Sequence, residues 1–287
     1  MPLAEGQIQV RGLVMGPGTM FETLRGFDPW SRQARAEQGD GRAWGDGAWS
    51  GAEWTAETVV PIPLRVKNAA DRTPGGWVAA HQLLAEAFAP SHEDLELRWC
   101  TGGTEYVLFG RPRMVEPEVA TAPAGWTYTR AAFVALDPTV YSGVEHSVSL
   151  GLPSTIGGLT VPLTVPVTVD ATVIAGRVTV TNAGRKATGL RLRIDGPVPE
   201  PRVSLLTDAG TATLRFWLTL TSGQWLDIDT AARTVYLNGT ASRRGLTSAD
   251  GGGWPILPPG GDAELAFDAA AYNASALLTA FWRDAWH

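Results

Sequence analysis

The sequence predicts a mainly β protein in two parts, with one long helix in the first part. Three observations carry this. The 33 Gly and 20 Pro residues are spread along all 287 positions, as in chains that turn often between short elements. Apolar residues recur at every second position over short runs, the period of a half-buried strand. One stretch, Pro74–Phe88, switches to helical spacing. No strand–helix–strand alternation is present, so a nucleotide-binding α/β sheet has no support.

Taken in order, "GQIQVRGLVMG" places Ile8, Val10 and Leu13 in an apolar series between glycines and reads as a strand. "TMFETLRGF" (Thr19–Phe27) reads as a second. Gly39–Gly51, "GDGRAWGDGAWSG", is a turn-rich loop with two tryptophans. "TAETVVPIPLRVK" from Thr55 is a strand whose Pro61 and Pro63 lack donors, which predicts an edge or a bulge. In "PGGWVAAHQLLAEAF", Val78, Leu83, Leu84, Ala87 and Phe88 follow helical spacing, Ala favours the helix, and Pro90 stops it. "EDLELRWCTGGTEYVLFGRPR" reads as strand, Gly102-Gly103 turn, strand. Ala124–Pro138 is a further alternating strand.

Asp137–Gly158 is polar and turn-rich, and is taken as the boundary region. Beyond it, "VPLTVPVTV", "GRVTVTNAG", "LRLRIDG", "ATLRFWLTL", "TVYLNG" and "AELAFD" alternate between Gly or Pro punctuation. That spacing predicts an antiparallel sandwich. There is no repeat of fixed period.

Composition narrows the function classes. An apolar share of 44% allows a packed core in each of two domains. A net charge of −6 lacks the electrostatic footprint of a nucleic-acid binder, so no nucleic-acid sequence recognition is expected. The N-terminal "MPLAEGQIQVRGLVMG" carries Glu5 and Arg11 and makes a poor signal peptide. No apolar run reaches a membrane-spanning length, so no membrane insertion is expected. The single cysteine, Cys100, rules out an internal disulfide framework and a Cys-based zinc site. These features predict a soluble protein made in a reducing cytoplasm.

The search for chemistry finds little. His81, His92, His146 and His287 show no metal-binding spacing, and structural or surface roles explain them better. No Gly-x-Ser-x-Gly elbow occurs. Cys100 follows Trp99 at a strand end and reads as a buried inert thiol. Asp40 and Asp46 fit no calcium-loop pattern and read as turn formers. Asp227 and Asp229 in "WLDIDT" point to one side of a strand. Paired carboxylates serve glycosidases, yet no second acidic centre accompanies this pair, and an exposed polar face explains it equally well. Twelve tryptophans include the close set Trp44, Trp49 and Trp54. A sugar-stacking platform is the sharp reading; core and interface filling is the preferred one. No cofactor and no catalytic, cofactor-binding or metal residue is assigned.

The order of motifs adds a resemblance. "GPGTMFETLRGFD", "GRAWGDGAWSGAEW", "TVVPIPLRV", "WVAAHQLLAEAF" and "TEYVLFGRPRMVEP" follow one another in the first half. "STIGGLTVP", "VTNAGRKATGLRLRIDGPVPEPRV", "DTAARTVYLNG", "GWPILPPGGDAELAF" and "ALLTAFWRDAWH" follow in the second. This succession, over nearly the whole chain, resembles the distal tail (minor tail) proteins of long-tailed phages, particularly those of actinobacterial hosts. The resemblance implies a ring-forming β-barrel-like domain over 1–140, with a helix near 75–88, and a galectin-like β-sandwich over 141–287. It implies a virion component at the distal end of a siphophage tail, assembled in the host cytoplasm and not an enzyme. The implied partners are copies of itself in a ring, usually hexameric, the tail tube protein, the tip hub protein, and possible contacts with the tape measure protein and receptor-binding proteins or fibres. The competing readings are a carbohydrate-binding β-sandwich adhesin at the host surface and, third, a glycan-cleaving enzyme using Asp227 or Asp229.

The stretch "TVYLNGTASRRGL" tests these readings. Asn238-Gly239-Thr240 matches a glycosylation acceptor, as does Asn273-Ala274-Ser275. Asn238-Gly239 after the alternating "TVYL" is also a strong hairpin signal. A phage protein made in a bacterial cytoplasm is not expected to carry glycan, so the hairpin is preferred. Arg243-Arg244 then fall on the solvated return rather than in an anion site.

Overall fold

In the computed structural model, which describes residues 2–36, 42–49, 51–67, 74–118, 126–156, 172–174 and 176–287, the chain forms two compact units, Met1–Val144 with His287, and Glu145–Trp286. Strands make up 54% of it and one α-helix is present among the described residues, so the fold is mainly β.

Where the sequence predicts one opening strand, two form. Strand β1 (Ile8–Val10) pairs antiparallel with β2 (Leu13–Met15), Ile8 facing Met15 and Val10 facing Leu13. The turn is Arg11-Gly12, with φ of 46° and 83°. Both signs are those of a type I′ turn, where an Arg is an unusual occupant. Its guanidinium supplies the compensation. It donates to the carbonyls of Glu86 (2.8 Å) and Ala89 (3.3 Å) at the end of the helix, the first of which also accepts the Ala89 N–H at 3.2 Å.

The rest of the first unit comprises β3 (Phe21–Thr23), β4 (Ala34–Ala36), β5 (Glu53–Thr55), β6 (Thr58–Lys67), α1 (Pro74–Ala87), β7 (Leu95–Thr101), β8 (Thr104–Glu118), β9 (Trp126–Ala135) and β10 (Val140–Ser142). The main sheet runs β2-β1-β7-β8-β9-β6-β3, with β10 also on β8, and is a nearly closed barrel. The two ends of that order meet where Gly16 N–H donates to the Phe21 carbonyl at 2.6 Å. Strand β8 serves two neighbours in succession. Thr104–Gly110 pairs with β7 and Arg111–Glu118 with β9. A Cβ on Gly110 would lie 2.2 Å from the Val134 carbonyl oxygen, so only glycine lets the backbones approach this closely at the corner.

The prolines of β6 sit in a strand with neighbours on both sides, β9 and β3. The polar groups of odd-numbered residues face the β3 side, as Leu24 N–H to Pro63 O (2.9 Å) and Lys67 N–H to Met20 O (2.8 Å) show. Strand β3 pairs only with Leu64, Arg65 and Val66. The missing donors of Pro61 and Pro63 therefore cost no ladder bond, and the strand is an edge over that stretch alone.

Helix α1 buries Ala80, Leu84 and Ala87, followed by Phe88, against the inner face that Ile62, Leu64, Leu97, Leu108 and Phe133 also line. Full burial of Leu84 contributes about 2 kcal/mol. His81 Nε2 and Thr127 Oγ1 share a hydrogen bond of 2.9 Å that fixes the helix to β9.

The second unit contains β11 (His146–Gly151), β12 (Ser154–Ile156), β13 (Thr172–Ile174), β14 (Arg177–Asn182), β15 (Thr188–Gly189), β16 (Arg191–Asp195), β17 (Val198–Pro199), β18 (Arg202–Thr207), β19 (Gly210–Phe216), β20 (Thr219–Leu220), β21 (Trp225–Asp229), β22 (Thr234–Leu237), β23 (Ala241–Ser242), β24 (Thr247–Gly251), β25 (Ile256–Leu257), β26 (Gly261–Asp268) and β27 (Leu277–Trp282). Two large antiparallel sheets result, β11-β27-β16-β21-β22-β23 and β14-β26-β18-β19-β24, beside the two-stranded pairs β12-β13, β15-β25 and β17-β20. Leu192, Ile194, Leu226, Ile228, Leu278 and Ala280 of the first share one core with Val203, Leu205, Leu214, Phe216, Leu265 and Phe267 of the second. That is a sandwich, and the alternation in each strand produces it. Strand β11 lies in the region read as a boundary. Its Val148 and Leu150 alternate with Ser147 and Ser149, a weak period-two signal. The predicted strand "VPLTVPVTV" lies outside the described residues.

One buried amide is fully met. The Asn182 side chain donates to the carbonyls of Lys186 (2.8 Å) and Pro258 (3.1 Å) and accepts from the N–H of Gly184 (3.0 Å) and Ala285 (3.3 Å). All four of its bonds are made, so full burial carries little penalty.

Candidate functional site

The titratable groups singled out from sequence are placed singly. His81 is half-buried, edge-on to Trp77 at 5.3 Å, and burial pushes its pKa below the ordinary histidine value. His146 stacks on Trp282 and bonds Asp284 Oδ2 at 3.2 Å. Cys100 is buried. Burial first, then the nearby Glu5 and Glu105 carboxylates, push its thiol pKa up, which disfavours the thiolate that chemistry would need. Glu5 instead closes the Gly102-Gly103 turn, accepting from their N–H groups at 3.0 and 2.9 Å. Those two bonds hold its carboxyl below the usual range, Gly103 contributing most.

Asp227 and Asp229 share the outward face of β21. Asp227 Oδ2 accepts from the Trp225 indole N–H at 2.8 Å, and Asp229 Oδ1 accepts from the Ala232 N–H at 2.8 Å. Arg193, opposite Asp227 in the register, binds Asp195 with Nε–Oδ1 of 3.0 Å. Each carboxylate has a local bond to make, and the face is a polar sheet surface. Asp46 accompanies Arg42 in an exposed turn, while Asp40 lies outside the described residues. Among the described residues no three or more His, Cys, Asp or Glu gather as a metal site would need. No described helix is long and apolar enough to cross a membrane.

Asn238 and Gly239 have φ of 51° and 73°, and Thr240 N–H bonds the Leu237 carbonyl at 3.2 Å. They form the tip of the β22–β23 hairpin, with Leu237 facing Ala241. The Asn238 side-chain oxygen accepts from Trp225 N–H at 3.0 Å, so the residue builds the turn. At the second acceptor match, Asn273 Oδ1 takes the Ser275 N–H at 2.9 Å. Arg243 bonds the Ser242 carbonyl, and Arg244 lies 4.9 Å over the Trp254 ring. They do not converge on an anion.

The tryptophans correct the preferred reading in part. Trp44, Trp49 and Trp54 are 93%, 66% and 61% exposed, so none fills a core. Arg42 lies 5.1 Å over Trp49, and Trp54 sits on β5 opposite Arg35 of β4. Enrichment in Trp signals either a core or a contact surface, and sequence offers nothing to separate them. A second aromatic group is half covered. Trp30 lies edge-on to Trp99 (5.7 Å) and Tyr106 (5.0 Å), beside a cleft of about 200 Å³ also lined by Phe27, Pro29 and Cys100. Its lining is suited to apolar contact and lacks an acid–base pair.

The described side chains assemble no reaction centre, and the backbone architecture can be compared with known folds. Over 98% of this chain and 99% of that one, the structure matches the SPP1 Dit protein (gp 19.1), described as a paradigm of hub adsorption apparatus in phages infecting Gram-positive bacteria, with a TM-score of 0.62 and 12% identity. The chain shares the fold of a phage Dit protein. Chains of the phage P2 baseplate in its activated conformation, with calcium or with strontium, also match, at TM-scores of 0.48 and 0.46 and 10% identity over 93% of this chain. No family model matches the sequence, and no curated protein matches it. At 12% identity the path of the backbone is shared while the side chains are not, so the likeness transfers a fold and no residue role.

Proposed function

We propose that this chain is a structural protein of a phage tail tip: a ring-forming distal tail protein that joins the tail tube to the tip hub and receptor-binding apparatus. The observation that carries the reading is the end-to-end likeness of both units to SPP1 Dit. The outward Trp44, Trp49 and Trp54 support it, because contact surfaces are where exposed indoles find partners. The proposal assigns ring building to residues 1–140 and an outward position to a galectin-like sandwich over 141–287. A hexamer is the expected ring, in a siphophage virion with an actinobacterial host. The tube, hub, tape measure and receptor-binding proteins are its expected neighbours.

Native mass spectrometry and negative-stain microscopy of the full chain test this. A closed ring of fixed subunit number, or capture of tube or hub protein, is the expected result. A chain that stays monomeric at high concentration and binds neither would overturn it. The exposed tryptophans also favour a second reading, a carbohydrate-binding adhesin, since exposed indoles stack on sugars. Calorimetry against host wall glycans separates the two: glycan binding lost in Trp49→Ala, without ring formation, selects the adhesin.

A further inference from the structure

We infer that Arg202 and Arg215, on the outward face of β18 and β19 in the second unit, form a binding site for a phosphate group. The site goes beyond the ring reading and depends on neither it nor the adhesin reading.

The register puts two arginines side by side. Arg202 of β18 stands opposite Arg215 of β19. Their strand neighbours Val203, Leu214 and Phe216 are buried, so both arginine side chains leave the other face of the sheet. Phe216 N–H donates to the Pro201 carbonyl at 3.0 Å, which makes Pro201 and Phe216 the hydrogen-bonded pair. The next pair, Arg202 and Arg215, is therefore of the other kind, with Cα atoms about 4.5 Å apart and side chains at their closest. Like charges directly opposite each other destabilise a sheet. An anion between them removes that cost.

Arg215 is held in place. Its guanidinium lies 3.6 Å from the centroid of the Trp217 ring, and its Nη2 donates to Glu200 Oε2 at 2.7 Å. The Trp217 indole N–H donates to Ser248 Oγ at 3.2 Å, and Ser248 is the partner of Arg215 on β24, so the ring is fixed over this row. Glu200 sits at a left-handed φ of 41°, strain of the kind that clusters at ligand sites. Arg202 is not held. Its Nε is buried without a hydrogen-bond partner, and no ion pair includes it among the described residues. Arg215 Nε is buried and unpartnered as well. Buried donors are nearly always paired, so two orphans on adjacent guanidinium groups call for an acceptor from outside the chain.

The carboxylates nearby do not supply it. Asp268 faces Arg202 from β26, but its Oδ1 accepts the Ala269 N–H at 2.8 Å and it forms no ion pair with Arg202. Glu200 meets Nη2 of Arg215 and leaves the Nε atoms unpaired. With both acids counted the row is neutral in sum, so the site selects its ligand by unpaired donors and not by a long-range field. Those donors lie on two guanidinium planes. A carboxylate matches one plane with its two oxygens, whereas a phosphate has oxygens enough to bridge both. Trp217, 49% exposed, adds apolar area beside the site for a molecule that carries the phosphate.

Calorimetric titration of the full chain tests this with inorganic phosphate, glucose 1-phosphate and acetate, at fixed ionic strength set by chloride. Both phosphates should bind saturably at one site, and acetate at least about tenfold more weakly, having one plane to meet instead of two. Arg202→Gln and Arg215→Gln should each weaken phosphate at least about tenfold, the loss of one charge-assisted hydrogen bond. Arg243→Gln, which removes an arginine bonded to the Ser242 carbonyl, should leave binding unchanged. No saturable binding, acetate bound as tightly as phosphate, or an equal loss in Arg243→Gln overturns the inference. Where the site stands, the tighter phosphate names the source: the free ion if inorganic phosphate leads, a larger phosphorylated molecule if glucose 1-phosphate leads. Thermal melts separate binding from a structural role. Without phosphate, Arg202→Gln should melt no lower than the wild type, because it relieves a like-charge pair. Phosphate should raise Tm of the wild type and not of the variant. A variant that melts lower without phosphate, and gains as much from phosphate as the wild type does, overturns the site.

Discussion

Arg11 holds a backbone that disfavours it and closes the end of a helix in one side chain. At φ 46° an arginine is strained, and its two bonds to the carbonyls of Glu86 and Ala89 offset that strain. Arg11→Ala keeps the strain and removes the bonds, so it should lower the stability of the first unit by about 1 kcal/mol, below the range for a buried charged donor because the site is exposed. Arg11→Gly also removes the bonds but relaxes the backbone, so it should cost less. Chemical denaturation of the two variants checks the order; equal losses would mean that φ contributes nothing. Asn238 solves the same problem locally, taking φ 51° while its own side chain bonds Trp225 N–H. That difference decides what a sequence reveals. Asn238-Gly239 and Gly102-Gly103 announce their turns in two letters. Arg11-Gly12 does not, because its partner lies 75 residues away.

At the scale of the element, periodicity reveals type and hides neighbours. The helical spacing of Pro74–Phe88 matches α1, and the alternation of Thr58–Lys67 matches β6. The partners of β6 were not legible, since proline tolerance depends on which side the missing donors face. Nor was the passage of β8 through Gly110 from one neighbour to the next. The exposed indoles were legible only as a tryptophan-rich segment, because exposure is a tertiary property. Helix α1 also carries a titration. Burial lowers the His81 pKa in the folded state, so below the ordinary value of about 6.5 the unfolded chain takes up more protons than the folded one. Stability of the first unit should therefore fall as pH drops from 7.5 through 6.5 toward the folded pKa. His81→Gln, which keeps a polar group near Thr127, should flatten that slope. Thermal melts across pH 7.5 to 5.5 measure it, and a slope unchanged by the substitution would count against His81 as its source.

At the scale of the whole molecule, the described residues form two β units, an apolar cleft and outward indoles, with titratable side chains bound up in turns and sheet faces. If it assembles as proposed, association and folding are linked: a neighbour that binds only the folded chain stabilises it by mass action. At a concentration about 100 times the dissociation constant that linkage is worth about 2.7 kcal/mol per contact. For a unit of this size it should raise Tm by roughly 5–10 °C. Scanning calorimetry of the wild type over a hundredfold range of concentration should show that rise. A wild-type Tm that does not move over that range would mean that no neighbour selects the folded chain, and would count against assembly through folded surfaces.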